Sequence, residues 1–242
     1  MFITMKKKDF FSSFLSKNHC LRTFGMMSIM IIFITSCSFS ENFYDTESTY
    51  KTVESVKHES IYFRKDDYRL HSLLLIPETP LNRFVILIQG KGGNSSDWSK
   101  SAIPLVEEGY HVWLPDYPGH GLSEGTANHS TVLDAVSHMM AEILKYREYE
   151  SFPKVIWTFS LGTNLAVKLA KEHEKEIEGL IIDGGCTSFE DVAVSFSEAG
   201  KFWVKLAVSS PYPAKTNIGY LKDIKLLSIH SKDDKVMPIR MG

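Results

Sequence analysis

From about Val56 onward the chain alternates short apolar runs with amphipathic stretches, and nothing else in it restricts the possible folds as strongly. Phe84-Val85-Ile86-Leu87-Ile88 is apolar at every position, the pattern of a strand buried on both faces of a parallel sheet. Further strands are predicted at 61–63, 70–76, 110–114, 154–158, 179–183 and 226–230. Between them, 97–108, 131–146 and 161–173 carry apolar residues at helical spacing. Strands alternating with helices imply right-handed crossovers and an α/β fold, a mostly parallel sheet covered by helices on both faces. The stretch from Cys186 to Lys222 breaks the rhythm and is the natural place for a small cap, residues 186–222. With 43% hydrophobic residues in a chain of 242, one sizeable core is affordable, so a single domain over 56–242 is expected. A formal net charge of -2 argues against nucleic acid as a partner.

The N-terminus reads as an address. Lys6, Lys7, Lys8, Lys17 and Arg22 precede an apolar stretch from Phe24 to Ile34, the order of a secretory signal peptide over residues 1–36. That stretch falls short of the roughly 20 apolar residues that span a bilayer. Ile34-Thr35-Ser36-Cys37 then resembles the lipobox of bacterial lipoproteins, in which the cysteine is lipidated and becomes the mature N-terminus. An uncleaved helical anchor is the alternative. Both readings place the domain outside the cytoplasm and beside a membrane, and the first implies a membrane-anchored lipoprotein of a bacterial cell envelope. Residues 37–55, polar and rich in Ser, Thr and Glu, read as a tether. Cys20 and Cys186, the other two of three cysteines, form no disulfide framework and no zinc spacing.

Four later segments carry chemistry. In Trp157-Thr158-Phe159-Ser160-Leu161-Gly162 a predicted strand turns into a predicted helix with serine at the turn, the arrangement of a nucleophile elbow, Gly-x-Ser-x-Gly. Thr158 stands where the first glycine is usual, and a plain N-cap serine is the ordinary alternative. Ile88-Gln89-Gly90-Lys91-Gly92-Gly93 is a Gly-rich loop after a strand. Asp116-Tyr117-Pro118-Gly119-His120-Gly121-Leu122-Ser123 follows another strand, and Asp116 is expected to hold that loop through its N–H groups. The fourth, His230-Ser231-Lys232-Asp233-Asp234-Lys235-Val236-Met237-Pro238, follows the last strand.

Together, and in this order, these segments resemble the motifs of α/β hydrolases of the serine aminopeptidase-like and monoacylglycerol-lipase-like (lysophospholipase-like) branch, over roughly Ile61 to Pro238. The resemblance implies the α/β-hydrolase fold and hydrolysis of an ester, thioester or amide through an acyl-enzyme. In these terms Ser160 is the nucleophile, and the N–H groups of Leu161 and Lys91 hold the oxyanion. Asp234 is the acid, with Asp233 as fallback. His120 and His230 are expected to be structural. Gln89 replaces the family's usual histidine, and Lys91 is long and charged for its place. No metal and no organic cofactor is implied; the partner is a small-molecule ester or amide substrate, with an acyl lipid suited to the apolar cap residues Phe189, Val192, Phe196, Phe202, Trp203 and Val204.

The family order is nucleophile, acid, histidine, and no histidine follows His230. The last strand, its histidine-bearing loop and the last helix are therefore expected to be lacking, as in a truncated hydrolase. A catalytically inactive, membrane-tethered binding protein is the second reading, and a substitute histidine such as His120 or His129 the third. An acyltransferase would differ only in its acceptor.

Overall fold

A computed structural model describes residues 40–197 and 201–241. The signal peptide, Cys20 and the lipidation residue Cys37 lie outside the described residues. Strands β1 (Lys57–Lys65), β2 (Tyr68–Ile76) and β3 (Phe84–Ile88) are followed by helix α1 (Ser95–Glu107) and β4 (His111–Pro115). Then come α2 (His129–Ile143), β5 (Lys154–Phe159), α3 (Gly162–Glu172) and β6 (Gly179–Asp183). Helices α4 (Phe189–Phe196), α5 (Lys201–Ala207) and α6 (Ala214–Asn217) lead to β7 (Lys225–Ile229).

The sheet runs β1-β2-β4-β3-β5-β6-β7. β1 pairs antiparallel with β2, and β2 with β4; β4, β3, β5, β6 and β7 are mutually parallel. The continuous apolar runs are the central strands: every residue of β3 and of β4 is buried. Side chains alternate between the two faces. Phe84, Ile86 and Ile88 join Val136 and Met139 of α2 and Leu165 and Leu169 of α3 on one side. On the other, Val85 and Leu87 pack with Ala102 and Val106 of α1.

Residues 37–55 require a correction from residue 43 onward. They lie on the domain rather than tethering it. Phe43 and Tyr44 pack against the larger core, and Val53 is buried with Leu73 and Val85. The Asn94 side-chain amide donates to the Glu47 and Thr49 carbonyls at 3.1 and 2.9 Å. Lys51 pairs with Asp97, and Asp45 lies 3.2 Å from Lys91. A few apolar side chains finding fixed pockets outweigh the polar composition of the segment.

The cap region supplies α4 to α6. Phe189, Val192 and Val204 are buried, whereas Phe196 and Trp203 are 61% and 65% exposed; the Phe202 side chain lies outside the described residues.

Candidate active site

The loops at the carboxyl ends of the parallel strands converge on Ser160. It sits between β5 and α3 with φ of 51°, a left-handed conformation that is strained for any residue with a Cβ. Its N–H donates to the Asp183 carbonyl at 3.0 Å, which ties the turn to the end of β6. Its own carbonyl accepts from Thr163 N–H at 3.1 Å and from the Thr163 hydroxyl at 2.6 Å. The turn is therefore braced from both sides, and Leu161 opens the helix.

The N–H groups of a first helical turn have no partner within the helix, which leaves that of Leu161 free for an incoming anion. Gly162 explains how close the turn comes to β3: a Cβ there would lie 2.3 Å from the Gln89 carbonyl oxygen. Thr158 is fully buried and uses its hydroxyl to donate to the Ile88 carbonyl at 3.1 Å. A strand-to-strand hydrogen bond thus takes the place of the usual glycine.

The Gly-rich loop passes beside Ser160. A Cβ on Gly90 would be 3.4 Å from the Ser160 Cβ, so Lys91 is the next residue of the chain after this contact. The loop is held by Gln89 Nε2 donating to the Gly93 carbonyl at 3.3 Å and by the Trp98 indole N–H donating to the Gly92 carbonyl at 3.0 Å. The Lys91 ammonium points to Asp45, on the exposed side.

Asp234 lies at the same end of the sheet. Gly184, just past β6, donates to the Ile229 carbonyl at 2.9 Å, and a Cβ on Gly184 would sit 3.6 Å from Asp234 Oδ2. The Asp234 carboxylate accepts the N–H groups of Met237 and Val236, both at 2.8 Å, and these hold its pKa below the usual carboxylate value. Oδ1 takes both bonds, and Oδ2 faces Gly184. The fallback residue Asp233 is exposed and uses its backbone N–H on the Ser231 hydroxyl.

The described histidines are occupied elsewhere. His230 Nε2 is 2.6 Å from the Met237 carbonyl, the structural role expected of it. His120 is fully buried with Nδ1 3.2 Å from the Pro118 carbonyl, and burial lowers its pKa. His129 Nδ1 lies 3.1 Å from the Tyr44 hydroxyl. None of them bonds to the Ser160 hydroxyl.

Asp116 holds its loop and more. It accepts Ser95 N–H at 2.6 Å and Leu122 N–H at 3.2 Å, and it lies 2.6 Å from His71 Nδ1. Gly121, with φ of 54°, leaves the room for this: a Cβ would meet Asp116 Oδ2 at 2.2 Å. His71 Nε2 is in turn 3.1 Å from the Ser60 hydroxyl. The bonding order Ser60–His71–Asp116 is that of a hydrolase triad, but Ser60 lies within β1 rather than at a turn before a helix. It braces the first two strands on the loop. Cys186, beneath Ser160, has its thiol pKa pushed by burial up to about 12, which makes it inert.

Three comparisons complement this geometry. The sequence profile of the alpha/beta hydrolase fold matches residues 83–207, just over half the chain. An uncharacterized hydrolase of Saccharomyces cerevisiae is 27% identical over 142 residues, 59% of this chain and 48% of that protein. The lysophosphatidylserine lipase ABHD12 of Xenopus tropicalis is 30% identical over 152 residues, 57% of this chain and 39% of its own. The chain thus spans half or less of the length of these curated relatives. Among solved structures, an alpha-beta hydrolase from Vibrio vulnificus superposes with a TM-score of 0.66 at 14% identity, over 83% of this chain and 76% of that one. At such identity the likeness concerns the fold alone.

Proposed function

The chain belongs to the alpha/beta hydrolase fold family, and from that premise we propose that it is a serine hydrolase of ester, thioester or amide bonds, with Ser160 as its nucleophile. The observation that carries the reading is the conformation of Ser160: positive φ at a strand-to-helix turn, against the Gly-rich loop. Strain of this kind persists where the surroundings enforce it, and it concentrates at functional sites.

In the proposed reaction the Ser160 oxygen attacks the substrate carbonyl carbon. The oxyanion is held by the N–H groups of Leu161 and Lys91, and the leaving group departs with the proton given up by the Ser160 hydroxyl as the acyl-enzyme forms. Water then attacks the acyl carbon and releases Ser160. Asp234 would orient an imidazole and stabilise it once protonated. The described residues do not bring a histidine to Ser160. The second reading is a catalytically inactive protein that binds a ligand at this pocket.

A fluorophosphonate probe separates the two. Labelling that is lost in Ser160→Ala supports the hydrolase; a folded, unlabelled wild type supports the binder. Lipase-like relatives and the buried aromatic residues Phe189 and Tyr117 beside the nucleophile favour an acyl lipid or another apolar ester as substrate.

The localisation belongs to the same proposal: a lipoprotein of a bacterial cell envelope, anchored through Cys37. Cys37 precedes Phe43 by six residues, which extend to about 20 Å, so lipidation there would hold the pocket close to the bilayer surface. Globomycin treatment tests this by accumulation of the unprocessed precursor; an unchanged pattern counts against lipidation.

A further inference from the structure

The chamber next to the nucleophile is walled by a segment from outside the sheet. Phe43 and Tyr44 line it together with Gln89, Gly90, Leu161 and Phe189. The Phe43 ring lies 5.2 Å from that of Phe189 and 5.3 Å from that of His129, edge-on to the first. The Tyr44 ring meets Tyr117 edge-on at 6.2 Å, and its hydroxyl reaches His129 Nδ1 at 3.1 Å and the Tyr212 hydroxyl at 3.5 Å. With both rings in place about 10 Å³ of free space remains, and a single water needs about 10–15 Å³. The segment is fastened on both sides of the chamber, by the Asp45–Lys91 pair and by Gly121 N–H donating to the Glu47 carbonyl at 2.8 Å. The two Asn94 amide bonds to the Glu47 and Thr49 carbonyls extend that fastening.

We infer that Phe43 and Tyr44 are specificity-determining residues of the Ser160 site: their rings fill the volume beside the oxyanion loop that an acyl chain would take. With the segment docked the site accepts only the shortest acyl groups, and a longer apolar chain enters by replacing the rings. The remaining walls are suited to such a chain. Val132, Leu165 and Phe189 are buried and apolar, and a cavity so lined stays dry and binds apolar molecules in preference to water. This inference rests on the Ser160 site being the acyl site.

The test uses the full chain and a readout that needs no turnover, the binding of cis-parinaric acid, a fluorescent fatty acid. Wild type is expected to bind it weakly, Phe43→Leu more tightly and Phe43→Ala most tightly. Two additional buried methylenes alone correspond to roughly a tenfold gain. Val132→Phe added to Phe43→Ala refills the chamber and should return the affinity toward that of wild type. Circular dichroism establishes that each variant is folded, and Phe43→Leu carries the test should the alanine variant fail to fold. Equal affinity in all folded variants overturns the inference, as does tighter binding that Val132→Phe leaves intact, since the ligand would then sit elsewhere. Fluorophosphonate labelling of Ser160 in the same samples judges the acyl-transfer reading separately: no labelling in any variant removes that reading, while the binding order still decides whether the two rings fill the chamber.

Discussion

His129 is a titratable group that its surroundings keep neutral. It stacks on Phe189 with ring centroids 3.8 Å apart, and burial lowers its pKa from 6.5 to about 4. Its Nε2 is buried without a hydrogen-bond partner, so a proton there would be placed among aromatic rings. The unfolded chain takes up that proton near pH 6.5, and the folded chain only near pH 4. Stability contributed by the neutral form is therefore present above pH 6.5 and is lost as pH falls toward 4. A shift of this size corresponds to about 3 kcal/mol of folding free energy across that window. Urea denaturation at pH 7 and pH 4 should show His129→Phe losing less stability than wild type between the two, by an amount of that order. Equal losses would mean that the imidazole is relieved of its proton, or accommodates it, in some other way.

At the level of elements, the strand–turn–helix unit of β5, Ser160 and α3 depends on one missing side chain. Gly162→Ala would drive a methyl into the Gln89 carbonyl oxygen, 2.3 Å away, and backbone cannot yield as a flexible side chain would. Overpacking of this kind costs ~1–3 kcal/mol, which lowers the melting temperature of a domain of this size by roughly 2–12 °C. Because Gln89 belongs to the loop beside Ser160, labelling of the serine should fall as well. An unchanged melting temperature would show that the loop gives way freely. The elbow and the central strands were legible in the sequence because each is specified locally: five consecutive apolar residues at 84–88 suit a strand buried on both faces and nothing solvated. The docked segment was not legible. Its buried contacts come from Phe43, Tyr44 and Val53, isolated among polar residues with neither a period of two nor of 3.6, and their partners lie far along the chain. The buried Asp116–His71 contact, across 45 residues, is hidden for the same reason. Local pattern reports which face of an element is buried; it carries no information about which distant side chain meets it.

Over the whole molecule the two ends of the sheet differ. At one end β1 and β2 are braced by the His71–Asp116 pair and the loop beneath it. At the other, β7 pairs only with β6 among the described residues, and all five of its residues are exposed. Its apolar side chains alternate between two openings. Leu226 borders a cavity of about 340 Å³ with Cys186 and Met241, and Leu227 and Ile229 border a groove of about 370 Å³ with Trp157 and Ile181. An unpaired strand edge beside an apolar groove is a template for association. Leu227 and Ile229 are 52% and 46% exposed, so covering each would add ~1 kcal/mol, about half the worth of a fully buried aliphatic side chain. Any self-association through this edge should therefore weaken by roughly 30-fold, the equivalent of ~2 kcal/mol, in Leu227→Lys combined with Ile229→Lys. Sedimentation velocity over a concentration series measures it. Both side chains lie on the face of α1, away from Leu161 and the chamber, so phosphonate labelling of Ser160 should be the same in the double variant. An association constant that the two lysines leave unchanged would place the contact between molecules somewhere other than this edge. A fall in association accompanied by a fall in labelling would mean that the outer strand and the Ser160 turn, joined through β6 by the Ser160–Asp183 and Gly184–Ile229 hydrogen bonds, respond as one unit.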